Sequence, residues 1–216
     1  MVSTFSIQQT LTSGSNTITL PQTGITLKGV SCLGVPYMAF NLSTGKTAYV
    51  PLGNATGVGG LSFKDPMFRV HYTFNDITFT VVVPNAPTSP AIFYFGDPES
   101  DSIALEDLTG VLGTTSFTQG STAGVMSSTL SYSLPEGRIM LTGIYSYISA
   151  NYSIVSFPVS TGKVLNLFNS NKVGNETIHP ILVEGSQSFN VNISAYVSAS
   201  TTSTAYVILY YKVITS

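Results

Sequence analysis

Only 8% of the 216 residues are charged, against roughly 25% in a soluble domain of average composition; Ser and Thr number 56, Phe and Tyr 12 each, and the net charge is −2. That texture excludes intrinsic disorder, which is rich in charge and poor in aromatic and β-branched residues, and it excludes collagen and coiled coil, which need a Gly triplet or an Ala/Glu/Lys/Leu/Arg-rich repeat. A single Cys excludes an internal disulfide, and eight scattered Lys and Arg, no two adjacent, leave no basic cluster for nucleic-acid phosphates.

Short windows of period-two alternation, separated by Gly, Pro and Asn, predict strands. In chain order the first are Thr4–Thr10, Asn16–Leu20, Ile25–Leu33, Tyr37–Leu42 and Thr47–Val50. Phe68 to Val83 shows the clearest alternation. Phe68, Val70, Tyr72 and Phe74 precede Asn75-Asp76, and Ile77, Phe79, Val81 and Val83 follow it. A two-residue turn at Asn75-Asp76 would pair the two runs as a hairpin with every apolar residue on one face. Pro84-Asn85-Ala86-Pro87-Thr88-Ser89-Pro90 reads as a connector, because three prolines remove three donors. A strand at Ala91–Phe95 follows.

The only helical signal begins at Asp97 as N-cap, with Pro98 at the first helical position, Ile103, Leu105 and Leu108 as a packing face, and Gly110 as the stop. Thr114 to Ser127 is small and polar and reads as a long surface loop. The remaining strand candidates are Ser128–Ser133, Arg138–Ile148, Tyr152–Pro158, Val164–Phe168, Ile178–Val183, Ser188–Val197 and Thr204–Ile214. Within the last, Ala205 to Tyr211 is apolar at every position, which predicts a strand buried on both faces, inside a sandwich or at a subunit contact. The seven-residue run is far shorter than the roughly 20 residues of a membrane-spanning helix. Met1–Ser6 has no basic or apolar segment, so no secretory leader is expected.

These elements predict an all-β fold, an antiparallel β-sandwich of jelly-roll type with extra hairpins and one short helix. One domain over 1–216, with an inserted acidic segment near 97–110, is the first arrangement; two small sandwiches, 1–90 and 115–216, are the alternative. Phe40-Asn41-Leu42-Ser43-Thr44-Gly45-Lys46 is echoed by Phe157-Pro158-Val159-Ser160-Thr161-Gly162-Lys163. Two similar hairpin turns would explain this, and so would a duplicated unit. Neither is a phosphate loop, which needs a Gly where Phe40 and Phe157 stand.

No catalytic set emerges, and no cofactor is implied. A hydrolytic triad needs a base, and only His71 and His179 are available; no Gly-x-Ser-x-Gly elbow occurs. Those two His and Cys32 cannot supply the four ligands of a structural zinc. Asp97, Glu99, Asp101, Glu106 and Asp107 gather half of the acidic residues. Asp97, Glu99 and Asp101 are weak candidates for Ca²⁺, but the EF-hand spacing is missing, and a solvated helix start accounts for them as well. Asn41, Asn54, Asn151, Asn175 and Asn192 stand in Asn-x-Ser/Thr glycosylation acceptors.

The charge-poor Ser/Thr/Tyr-rich strands, the start at Met1 and the terminal strand Tyr206-Val207-Ile208-Leu209-Tyr210-Tyr211 resemble structural proteins of tailless icosahedral viruses of archaea. The resemblance spans the chain in texture and transfers no functional residue. It implies a jelly-roll capsid or turret subunit located in the virion, partnered by copies of itself and other shell proteins. The interface residues come from the terminal strand itself: a monomer would struggle to bury both of its apolar faces, so Tyr206, Ile208, Tyr210 and Tyr211 are the expected assembly interface. The Lys/Glu richness common in hyperthermophile proteins is missing. An extracellular filament or adhesion subunit that completes a neighbour's sheet is the second reading, and a carbohydrate-binding sandwich the third.

Overall fold

The computed structural model describes residues 4–53, 67–150, 152–160, 163–170, 173–176, 181–183 and 188–214. The chain divides into two compact units, Met1–Thr109 and Gly110–Ser216. Both are built of β-strands, and among the described residues every strand pairing but that of Val70–Phe74 with Ile103–Ala104 is antiparallel.

The first unit contains β1 (Phe5–Gln9), β2 (Gly14–Thr19), β3 (Ile25–Ser31), β4 (Tyr37–Asn41), β5 (Thr47–Pro51), β6 (Val70–Phe74), β7 (Thr78–Val83), β8 (Ala91–Phe95) and the two-residue β9 (Ile103–Ala104). They form one sheet in the order β1-β8-β3-β6-β9 and another in the order β2-β7-β4-β5. Aromatic rings tie the sheets together. Phe74 of β6 stacks on Phe79 of β7 at 4.2 Å between centroids, and Phe93 of β8 meets Phe79 at 5.4 Å and Phe40 of β4 at 6.4 Å. Such ring pairs each add about 0.5–1.5 kcal/mol beyond their buried area.

The second unit contains β10 (Gly110–Thr118), β11 (Gly124–Ser133), β12 (Ile139–Ile148), β13 (Tyr152–Ser160), β14 (Lys163–Ser170), β15 (Val173–Glu176), β16 (Ile181–Val183), β17 (Ser188–Val197) and β18 (Thr202–Val213). Its sheets run β10-β18-β12-β15, with β16 also on β12, and β11-β17-β13-β14. Both sheets contribute to one core, which includes Leu130, Ile139, Leu141, Val155, Phe157, Val191, Ile193, Val207 and Leu209. With the short β9 and β16 set aside, the strand order is the same in the two units: first-eighth-third-sixth in one sheet, second-seventh-fourth-fifth in the other.

Three expectations are corrected. The runs on either side of Asn75-Asp76 do not form a hairpin: β6 pairs with β3 and β9, while β7 pairs with β2 and β4. The apolar face is real, with Val70, Phe74, Phe79, Val81 and Val83 buried. The chain, however, turns from one sheet of the sandwich to the other, so Phe74 and Phe79 meet across the core instead of along a ladder. The expected helix shrinks to one 3-10 turn, Leu105–Leu108, anchored by buried Leu105 and Leu108. Residues before it instead lay β9 alongside β6, and Ala48 bridges to Thr109 after it. Thr114 to Ser127 is not one long loop. Only residues 119–123 connect the strands; the rest forms the end of β10 and the start of β11, where small hydroxyl side chains alternate with half-buried and buried positions such as Phe117.

The segments 40–46 and 157–163 occupy equivalent places. Each connects the fourth and fifth strands of its unit, β4 to β5 and β13 to β14. Gly45 takes a φ of 77°, the left-handed conformation that a Cβ disfavours; Gly162 lies outside the described residues.

Candidate functional site

The acidic segment is held by an arginine. Arg69, just before β6, places its Nε 2.9 Å from Glu99 and its Nη1 3.0 Å from Asp101. Beside it the Ser102 hydroxyl donates to the Glu99 carbonyl at 2.7 Å and lies 2.8 Å from Nδ1 of His71. Two of the three carboxylates considered for Ca²⁺ therefore face a guanidinium. Among the described residues no group of three or more His, Cys, Asp and Glu converges on one point. His71, on β6, is engaged with Ser102; His179 lies outside the described residues. Cys32 is buried, and desolvation pushes its thiol up to about 11, so it is protonated and unreactive near neutrality.

A shallow cleft of about 220 Å³ opens at one end of the first unit, lined among others by Asn41, Ser43, Tyr72, Asp76 and Thr80. The Tyr72 hydroxyl sits 2.9 Å from that of Ser43, which closes one wall. No group with nucleophile and base geometry lines it.

The C-terminal strand β18 lies inside its sheet, with β10 on one side and β12 on the other. Ala205, Val207, Leu209 and Tyr211 belong to the core of the second unit. Ile208 and Tyr210 are also buried, and Tyr206 is half-buried, with its ring 6.2 Å from that of Tyr147. Burial pushes the Tyr206 and Tyr211 phenols up, Tyr206 with a further contribution from Tyr147.

Of the glycosylation candidates, Asn41 ends β4 and is exposed. Asn192 is exposed on β17 and accepts a hydrogen bond from Thr129 at 2.7 Å. Asn175 lies on β15, whose backbone pairs with β12. Asn54 and Asn151 fall outside the described residues.

One surface feature was not singled out from the sequence. On the outward face of the β11-β17-β13-β14 sheet, Val125, Tyr196 and Tyr152 sit side by side across three strands, and Ile154 and Phe168 form the adjoining row. Phe168 is 72% exposed, Val125 70% and Tyr152 67%. Further along, the face turns polar through direct cross-strand bonds: Ser127 with Ser194, Thr129 to Asn192, Ser131 to Asn190 and Ser156 to Asn166, all at 2.7–2.9 Å.

Among the described residues no helix is long and apolar enough to cross a membrane. No protein-family model and no curated protein matches this chain. Among solved structures, it is similar to a chain from the atomic structure of Sulfolobus Turreted Icosahedral Virus, at 12% identity and a TM-score of 0.23. The match covers 95% of this chain and 58% of that one, so this chain spans little more than half of its length.

Proposed function

We propose that this chain is a structural protein of a virion, a self-assembling capsid or vertex subunit made of two jelly-roll units in tandem, and that it is not an enzyme. The observation that carries the reading is the strand order. An eight-strand chain that runs first-eighth-third-sixth in one sheet and second-seventh-fourth-fifth in the other has the connectivity of two Greek keys folded over each other, an architecture used in viral capsids and in lectins. Both units have that order, and the Ser-Thr-Gly-Lys echo falls between the same two strands of each, as duplication of one unit would leave it. The chemistry supports a structural role: Arg69 pairs with two carboxylates of the acidic segment, the thiol is buried, and the charge that would repel neighbouring copies is scarce.

Negative-stain microscopy of the purified protein tests this. Closed shells or ring-shaped capsomers are expected. Fibres would favour a filament subunit instead, for which β1 is the suitable element, because among the described residues it pairs with β8 alone, at the end of its sheet. A protein that stays monomeric at all concentrations would overturn the assembly reading.

A further inference from the structure

We propose that the outward face of the β11-β17-β13-β14 sheet is a contact surface for a second copy of this chain. The inference rests on the assembly reading and names the surface through which it acts.

The first argument is area. Val125, Tyr152, Ile154, Phe168 and Tyr196 form one contiguous patch, and they expose on the order of 500 Å² if a ring residue presents about 150–250 Å² when bare. That lies near the upper end for the largest apolar patch of a monomer, about 300–600 Å². A standard interface takes about 800 Å² from each partner, so the apolar patch supplies more than half of one partner's share and the adjoining hydroxyls and amides are there to supply the rest.

The second argument is charge. The outward positions of β11 and β17, those of β13 as far as Ser156, and 164, 166 and 168 of β14 carry Val, Ser, Thr, Asn, Tyr, Ile and Phe, with no Lys, Arg, Asp, Glu or His among them. A partner of opposite charge has nothing to recognise there. A two-fold contact, by contrast, sets a patch against itself, and any fixed charge near the axis would meet its like. Hydroxyls and amides both donate and accept, so such a face complements itself.

A neutral glycan is the competing occupant, since it too stacks on exposed rings. It also needs amide and hydroxyl groups aimed outward from a concave site. Here the Asn190, Asn192 and Asn166 oxygens are already engaged by Ser131, Thr129 and Ser156 within the sheet. The apolar patch is what remains to be covered, and a copy of itself covers it.

The test uses two full-length variants, Phe168→Lys and Phe168→Glu, at the most exposed ring. Circular dichroism and Tm should match the unmodified chain, because this side chain is mostly in solvent. In sedimentation equilibrium at low salt, each variant alone should self-associate at least about ten-fold more weakly, and their equimolar mixture should recover most of the loss through the Lys–Glu pair, with the recovery erased by 0.5 M salt. Variants that associate like the unmodified chain, while that chain still forms shells, would overturn this surface and leave the assembly reading standing. An unmodified chain that never associates would overturn both. Weakened variants whose mixture does not recover would overturn the face-to-itself geometry. Binding of a neutral oligosaccharide such as cellohexaose by a monomer, lost in Phe168→Lys, would assign the face to a glycan.

Discussion

Hydroxyl pairs take the place that ion pairs occupy on most sheets. Thr26 meets Thr73 at 2.9 Å, Ser127 meets Ser194 at 2.9 Å and Thr118 meets Thr202 at 3.2 Å, each pair directly opposite across two strands. Each such pair contributes about 0.2–1 kcal/mol, a range that overlaps that of an exposed salt bridge, so a sheet loses little by giving up charge. The Arg69 pairs with Glu99 and Asp101 are partly exposed and belong in the same modest class. A more demanding residue is Tyr132, which crosses the interior of the second unit to donate to the Val207 carbonyl at 2.9 Å. It passes over Gly113, where a Cβ would lie 2.6 Å from the Tyr132 Cζ and 3.0 Å from Leu130. Gly113→Ala is therefore expected to destabilise the chain by about 1–3 kcal/mol through overpacking, and Tyr132→Phe by about 1 kcal/mol through the lost hydrogen bond. In urea unfolding, the Gly113→Ala cost should shrink markedly in a Tyr132→Leu background, since the ring that it strikes is gone. An unchanged cost would mean that the glycine serves something other than this ring.

At the scale of elements, β18 decides the second unit. It lies between β10 and β12 and pairs with both, and Val207, Leu209 and Tyr211 sit in the core on one of its faces. Removal of residues 204–216 is expected to unfold the second unit, with loss of its near-ultraviolet dichroism and of slow amide exchange in β10 and β12. A truncated chain that keeps both would show β18 to be dispensable. This strand also illustrates what could be read in advance. A run of seven apolar residues said that both faces were covered, and they are. It did not say what each face meets, because periodicity records burial and not the partner. The same gap explains the 68–83 segment: its alternation identified Phe74 and Phe79 as inward, yet a turn between sheets and a turn within one leave the same pattern. At Thr114 to Ser127 the error was the opposite one: outside the five-residue connection 119–123, polarity was taken for a loop where Thr and Ser line strands. Tyr152 to Phe157 hides the candidate contact face for a related reason. Tyr-Ser-Ile-Val-Ser-Phe has apolar residues in both phases, and only the register shows Ser153 buried while Tyr152 and Ile154 face out.

For the whole molecule the scarcity of charge becomes a statement about pH. Ten carboxylates and two His are all that acid can titrate, so the net charge moves from −2 to about +10 by pH 2, roughly half the swing of a chain of average composition. Acid unfolding works through such titrations; Tm is expected to fall by less than about 10 °C between pH 7 and pH 3, under roughly 3–4 kcal/mol for a chain of this size. The alkaline side should behave differently. Burial raises the Cys32 thiol from 9.0 to about 11, and it also raises the phenols of Tyr132, Tyr206 and Tyr211. In each case the unfolded chain releases its proton at lower pH than the native chain. Above that pH the unfolded state binds fewer protons, so stability declines as pH rises. For Cys32 the window opens near pH 9 and closes near pH 11, and about 2–3 kcal/mol is lost across it at 1.36 kcal/mol per pH unit. Calorimetry from pH 3 to 11 should therefore show a broad acid shoulder and a steeper fall above pH 9. Cys32→Ala should be less stable at neutral pH by a constant cavity cost, but it should lose about 2–3 kcal/mol less between pH 9 and 11, because its part of the titration has been removed. Parallel curves for the two chains would show that the buried thiol does not contribute, and a collapse between pH 3 and 4 would show that a few carboxylates matter more than their number implies.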